Sequence, residues 1–314
     1  MKFGIAVTNA INPEITPEGQ ADYAARVALA TEETGLDSVW VSERTVYPTD
    51  IMDLYPHMFS PHHSRPDSQR LLEATTTLAY LAGITSRVRL GFTILCVPFR
   101  NPVLNAKTIT TLDVLSGGRI DFGIGTGWMP EEFEGIFADF DSRGTVTNEH
   151  LEVFKAACAS DVPEFTGEHF SVSGKVFFPR PVQKPHPPIW VGGNSRAAIR
   201  RAVEHGDGWL PFPNTRAMAP FTRTPAMESN RDIEERIAYA RKHAETIGRE
   251  APLAIGYSLG GMGQATRPAE ALLDETAALA ALGVSWVGVG FPANDRAAYC
   301  DAICRFGEEV IRAA

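Results

Sequence analysis

The sequence predicts an α/β protein, a closed (β/α)8 barrel with insertions after strands two, four and six. Three observations predict it. Strand-like and helix-like patterns alternate over the whole of the 314 residues. The strand candidates are apolar on both faces, as in a parallel sheet covered by helices. There are eight strand–helix units in the row, and eight such units close into a barrel of roughly 250 residues, leaving length for inserts in one domain over 1–314.

The elements follow in order. Phe3 to Thr8 is a buried strand. Pro17 to Thr34 is a helix, with Thr16 as N-cap, Pro17 in the first position and Gly35 as C-cap. Asp37 to Glu43 is strand two. Residues 45–68 are an irregular insert with four prolines and three histidines. Gln69 to Thr85 is a helix and Val88 to Leu95 is strand three. Pro102 to Leu115 is a helix stopped by Ser116-Gly117-Gly118, and Arg119 to Thr126 is strand four. A short acidic segment precedes a helix from Thr147 to Ala159. Residues 161–187 carry turn signals at Thr166-Gly167 and Ser173-Gly174, which suit a small hairpin and a connector.

Ile189 to Val191 is strand five, followed by a helix with apolar positions at Ala197, Ala198, Ile199, Ala202 and Val203. Gly208 to Leu210 is strand six, and residues 211–228 are a loose insert. Arg231 to Ile247 is a helix, Leu253 to Ser258 strand seven, and Ala269 to Leu282 a helix. Val284 to Gly290 is strand eight and Asp295 to Arg312 the last helix.

The composition narrows the partners. A net charge of -9 argues against nucleic acid or an anionic membrane as the main partner. The start, MKFGIAVTNA, has no apolar leader core, and no run of about 18 apolar residues occurs, so a cytoplasmic protein is expected. Cys96, Cys158, Cys300 and Cys304 match no metal spacing and suit reduced, packed thiols. His57, His62 and His63 lie near Asp50 and Asp53 but match no metal motif either, so no metal is expected.

In a barrel of this kind, function sits where the strands end at their C-terminal side. Those ends hold few reactive groups. Neither the histidine pair of a metal hydrolase nor the lysine of a Schiff-base aldolase is in place, and Glu43 is a lone carboxylate where glycoside hydrolysis needs two. Threonine, glycine, tryptophan, phenylalanine and cysteine remain. Such a wall suits a flat cofactor that brings its own chemistry to a small-molecule substrate.

Two glycine-rich stretches fit that reading. Gly192-Gly193-Asn194-Ser195 ends strand five and opens a helix, with Ser195 as a good N-cap. Unpaired N–H groups there, with the positive end of the helix dipole, offer a place for a phosphate. An ordinary tight turn would carry the same residues. In strand four, Gly123, Gly125 and Gly127 suit either a planar ring lying over the backbone or a tightly packed barrel layer.

Several runs together resemble the bacterial luciferase-like monooxygenase superfamily, and within it the coenzyme F420-dependent oxidoreductases. They are Arg87 to Gly91, Arg100-Asn101-Pro102 leading to Lys107, Thr111 to Arg119, Gly123 to Trp128, Arg180 to Asn194, and Asp207-Gly208-Trp209. The resemblance implies a homodimeric barrel holding coenzyme F420 or FMN at its mouth. It implies the phosphate at Gly192, Gly193, Asn194 and Ser195. The ring would lie near Thr93, Ile94 and Leu95, where relatives carry a bulge with a cis bond, and would be bordered by Thr126, Gly127 and Trp128.

One position departs from the family pattern. Relatives often read Ser-Glu-His at the end of strand two, with the histidine placed for proton transfer; here the residue is Arg44. Arginine is no general acid or base near neutral pH, but it can stabilise negative charge on a ring or substrate. Glu43 then becomes the acid/base candidate, because burial raises a carboxyl pKa. The expected activity is hydride transfer between coenzyme F420 and a small organic molecule. The alternatives are an FMN-dependent two-component monooxygenase fed by a separate reductase, and a catalytically silent cofactor binder. Arg180, Lys184, Arg196 and Arg200 are candidates for a basic groove that would take the acidic tail of coenzyme F420.

Overall fold

The computed structural model describes residues 1–7, 17–56, 71–258, 268–291 and 296–312. Strands β1 (Lys2–Val7), β2 (Ser38–Val41) and β3 (Arg89–Phe92) run parallel in that order. After β3 the strand is interrupted and resumes as β4 (Leu95–Cys96). Then come β5 (Ile120–Gly125), β8 (Ile189–Gly192), β9 (Gly208–Leu210), β10 (Ala254–Ser258) and β11 (Trp286–Val289). The small antiparallel pair β6 (Phe165–Thr166) and β7 (Ser171–Val172) stands apart, as the turn signals predict. β3 pairs with β5, and β11 returns to β1, so the parallel sheet closes into an eight-stranded barrel.

The helices cover the outside: α1 (Pro17–Glu33), α2 (Ile51–Leu54), α3 (Ala74–Ile84), α4 (Pro102–Ser116), α5 (Pro130–Gly135) and α6 (Arg143–Ala159) in the first half. α7 (Arg196–His205), α8 (Ala219–Thr222), α9 (Asn230–Ile247), α10 (Ala269–Leu282) and α11 (Arg296–Phe306) follow, and a π-helical turn, Gly307–Ile311, extends α11. Between barrel and helices lies one core that includes Leu78, Leu90, Ile109, Ile120, Phe122 and Phe154. Its burial supplies the main drive to fold.

Some boundaries move for local reasons. The helix expected from Gln69 begins at Ala74; Gln69 itself lies outside the described residues. The Glu73 carboxylate accepts the N–H groups of Thr75 and Thr76 at 3.0 and 2.6 Å and caps it there. The helix expected from Thr147 begins a turn earlier, at Arg143. Asp139 accepts the N–H groups of Asp141 and Ser142, turning the chain into it. The acidic segment before it forms α5, started by Pro130 at its first position. Thr8, Thr16, Asp295 and residues 57–68 of the insert at 45–68 fall outside the described residues. Residues 161–187 follow α6 rather than β5, so the hairpin sits at the end of the barrel away from the mouth.

Tryptophans fill the lower half of the barrel. Trp40, Trp190 and Trp286 form a separate cluster, with ring centroids 5.5 to 5.9 Å apart and nearly perpendicular planes. The indoles of Trp40 and Trp286 both donate to the Ser38 hydroxyl, at 2.7 and 3.1 Å. The Trp190 indole donates to Asp121 at 3.3 Å, and Arg89 grips the same carboxylate at 2.7 and 2.8 Å. Glycines make the room: a Cβ at Gly91 would overlap the Trp40 ring, and one at Gly208 the Trp190 ring. A sealed floor leaves the C-terminal mouth as the way in.

Candidate active site

The interruption between β3 and β4 shapes the mouth. Gly91 stands opposite Asp121 and Leu95 opposite Ile124, so three residues on one strand face two on the other. This is a bulge, and the Thr93–Ile94 peptide bond within it is cis. The bulge pushes the Phe92 carbonyl against β5, where a Cβ at Gly123 would overlap it. The Ile94 side chain then lies across Gly125 and Gly192, and neither position has room for a Cβ beside it. The strand-four glycines therefore admit the chain's own bulge. Close packing, one of the two readings of the sequence, describes Gly123 and Gly125. Leu95 departs from its expected place: its side chain is fully buried in the core between barrel and helices, so only its backbone reaches the mouth.

At the end of β2, two acids and two arginines pair off. Glu43 accepts from the Arg100 guanidinium and from the Cys96 N–H, the latter at 2.6 Å. Burial pushes the Glu43 carboxyl above its ordinary value, against the pull of Arg100. The pairing makes Glu43 a group that fixes β4, and the burial expected to raise its pKa for an acid/base role is present. Arg44 meets Glu132 at 2.5 Å, and the same carboxylate accepts the Thr45 N–H at 2.7 Å. The Arg44 guanidinium lies 5.2 Å from the Trp128 ring and 5.5 Å from Tyr47. Both contacts are within cation–π reach.

Trp128 stands edge-on to Tyr55, with centroids 5.1 Å apart, and Tyr55 meets Phe221 in the same way at 6.0 Å. The Tyr55 hydroxyl donates to Glu131 at 2.7 Å. Burial, then the bonded and nearby Glu131 carboxylate, hold that phenol well above its ordinary pKa. Below Trp128, Gly127 has a φ of 76°, and a Cβ there would press on Phe133 and on the Cys96 sulfur. Burial pushes the Cys96 thiol up, so it stays protonated and acts as a small apolar filler.

The glycine loop after β8 is more occupied than the sequence suggests. The Gly193 N–H donates to the Leu210 carbonyl at 3.2 Å and the Asn194 N–H to Thr224 at 3.1 Å. The Asn194 side chain is buried and ties the loop to the Phe212 and Pro225 carbonyls, so it is structural rather than a phosphate ligand. Ser195 caps α7 through the Ala198 N–H at 3.1 Å. The N–H groups of Ser195, Arg196 and Ala197 at the helix start donate to no described residue, and these fit a phosphate.

The expected basic groove does not assemble. Arg180 pairs with Asp161 at 3.0 Å, and Lys184 donates to the Pro181 carbonyl, both at the floor end of the barrel. Arg196 stacks over Tyr239 and Arg200 donates to its hydroxyl, on the outer side of α7. Among the described residues, no group of histidine, cysteine, aspartate and glutamate can hold a metal. His57, His62 and His63 lie outside them. No described helix is long and apolar enough to cross a membrane.

Glu132, Arg100, Glu131 and Tyr55 were missed by sequence reasoning. Arg100 and Glu132 are 57 and 88 residues from the side chains they hold. The one local signal was the acidic pair Glu131-Glu132 after Pro130 at the start of a helix.

Residues 1–298 match the model of the luciferase-like monooxygenase family. An uncharacterized Mycobacterium tuberculosis protein is 32% identical over 195 residues, which are 62% of this chain and 67% of that one. The coenzyme F420-dependent tetrahydromethanopterin reductase of Methanopyrus kandleri has a similar fold, with a TM-score of 0.73 at 18% identity, covering 99% of each chain. The oxygenating constituent of 3,6-diketocamphane monooxygenase from Pseudomonas putida, in complex with FMN, has a TM-score of 0.74 at 13% identity. That match covers 99% of this chain and 97% of the other.

Proposed function

The chain belongs to the luciferase-like monooxygenase family, and from that premise we propose that it is a coenzyme F420-dependent oxidoreductase acting on a small organic substrate. One observation carries the reading. The acids Glu43, just after β2, and Glu132, in α5, are paired with arginines, so among the described residues neither stands there as a free acid or base, and the reading brings the reagent in with a cofactor. When bound, the deazaflavin supplies hydride transfer.

The chain's own residues bind and orient. Thr93 and Ile94 in the bulge face one side of the ring position, and Thr126, Gly127 and Trp128 border it. The free N–H groups from Ser195 to Ala197 hold the phosphate. Arg44, fixed by Glu132, presents positive charge to a reduced ring or an anionic substrate. Glu43 and Arg100 hold β4 in place beneath.

An FMN-dependent monooxygenase served by a separate reductase is the second reading, favoured by the fold shared with the FMN-bound Pseudomonas protein. Parallel titration of the apo-protein with coenzyme F420 and with reduced FMN decides. Tight binding of FMN with none of F420 overturns the first reading. Binding of either without turnover over a substrate panel favours a silent binder.

We also propose a homodimer in the cytoplasm, paired through α3 and α4. The outward residues Thr76, Tyr80, Gly83, Leu104, Thr108 and Leu115 are uncharged, with Lys107 the charge among them, and Leu104 and Leu115 are 66% and 65% exposed. The neighbouring Val176 and Phe178, 72% and 52% exposed, extend this apolar face, and a stable pair buries about 800 Å² per partner. Light scattering of Leu104→Asp should show a monomer where the natural chain shows a dimer.

A further inference from the structure

Two arginines from distant parts of the chain share one ring. The Arg143 guanidinium lies 3.7 Å from the Phe140 ring centroid and that of Arg223 lies 4.6 Å from it. Arg143 is the first residue of α6 and Arg223 closes α8. Arg143 also donates to the Phe140 carbonyl at 2.6 Å. Among the described residues, neither has a carboxylate within ion-pair distance. Burial, and then the Arg223 charge, hold the Arg143 guanidinium below its ordinary value, with Asp141 pulling the other way. Like charges held together are unfavourable until an anion joins them.

The pair sits on the rim of the mouth. Phe140 packs on Phe133 at 5.1 Å, and Phe133 lies beneath Gly127. Thr224, next to Arg223, holds the Asn194 N–H of the glycine loop. Arg201 of α7 donates to the Gly144 carbonyl, next to Arg143, at 3.0 Å. Both arginines thus ride on backbone tied to α7 or to the loop before it.

We propose that Arg143 and Arg223 form an anion subsite beyond the phosphate position, which takes carboxylates of the coenzyme's glutamate tail. The proposal rests on the coenzyme F420 reading and deepens it. FMN has the phosphate without the tail, so the subsite separates the two coenzymes. It also replaces the groove that Arg180 and Lys184 fail to make.

The test is coenzyme affinity, read by fluorescence titration without turnover. Arg223 is exposed, so Arg223→Gln removes the charge without opening a core. At low ionic strength this variant should bind polyglutamylated coenzyme F420 about tenfold more weakly, about 1.4 kcal/mol. The difference should shrink at about 0.3 M salt. Arg223→Lys should recover most of the affinity, and binding of FMN should stay within about twofold. Unchanged F420 affinity in Arg223→Gln, or an equal loss for FMN, overturns the subsite alone. If the natural chain takes FMN and rejects F420, the coenzyme reading fails and the subsite with it.

Discussion

Arg44 and Glu132 are 88 residues apart in sequence and 2.5 Å apart in the fold. Glu132 is nearly fully buried, and a buried acid without its partner is strongly destabilising. Arg44→Ala would therefore mix two effects. Arg44→Lys keeps the charge but loses the flat guanidinium over Trp128. This variant should keep a thermal midpoint close to the natural one while turnover falls at least about tenfold. A midpoint that falls in step with turnover would make the pair purely structural.

Gly193 has a φ of 116° with the Ala198 methyl 3.1 Å from where its Cβ would be. Gly193→Asp adds strain and a negative charge beside the start of α7. Coenzyme affinity should fall by at least about tenfold, about 1.4 kcal/mol. Unchanged affinity in a folded variant would move the phosphate elsewhere.

A methyl group at Gly123 would occupy the place of the Phe92 carbonyl oxygen. Gly123→Ala should cost about 3 kcal/mol or more in urea unfolding, at the upper end of overpacking. Gly290→Ala, with no described atom within 4 Å of the new methyl, is the control and should be nearly neutral. Equal behaviour of the two would mean that the bulge can retreat from β5.

Glu32 ties the start of β3 to α1. Its carboxylate accepts the N–H groups of Ser86, Arg87 and Val88, and these bonds outweigh the opposing effect of burial to bring its pKa to about 2. A depressed acid stabilises the fold above its ordinary pKa of 4.5 and loses that contribution as pH falls towards 2. Glu32→Gln should therefore unfold at lower urea than the natural chain at pH 7. The gap should narrow as pH drops from about 4.5 towards about 2. A gap independent of pH would assign the effect to lost shape rather than charge.

The barrel was legible because each strand is apolar on both faces and each helix has clear stops, such as the Asn101 cap and Gly117 in the left-handed region around α4. Boundaries slipped where a distant or polar cap decides, as with Glu73 and Asp139. The glycine loop was legible from its own residues, a strand end running into a capped helix, and the cis bulge through the family pattern. The pairs Arg44–Glu132 and Glu43–Arg100 were not, because nothing local tells an arginine which acid the fold will bring to it. Phe140 gave no signal either, since its value lies in two arginines that arrive from separate helices.

The indole floor made by Trp40, Trp190 and Trp286 has a kinetic meaning. A vessel closed at the bottom has one doorway, so its guests queue. On the coenzyme F420 reading, coenzyme and substrate share that doorway, and initial-rate kinetics should show an ordered rather than a random sequence.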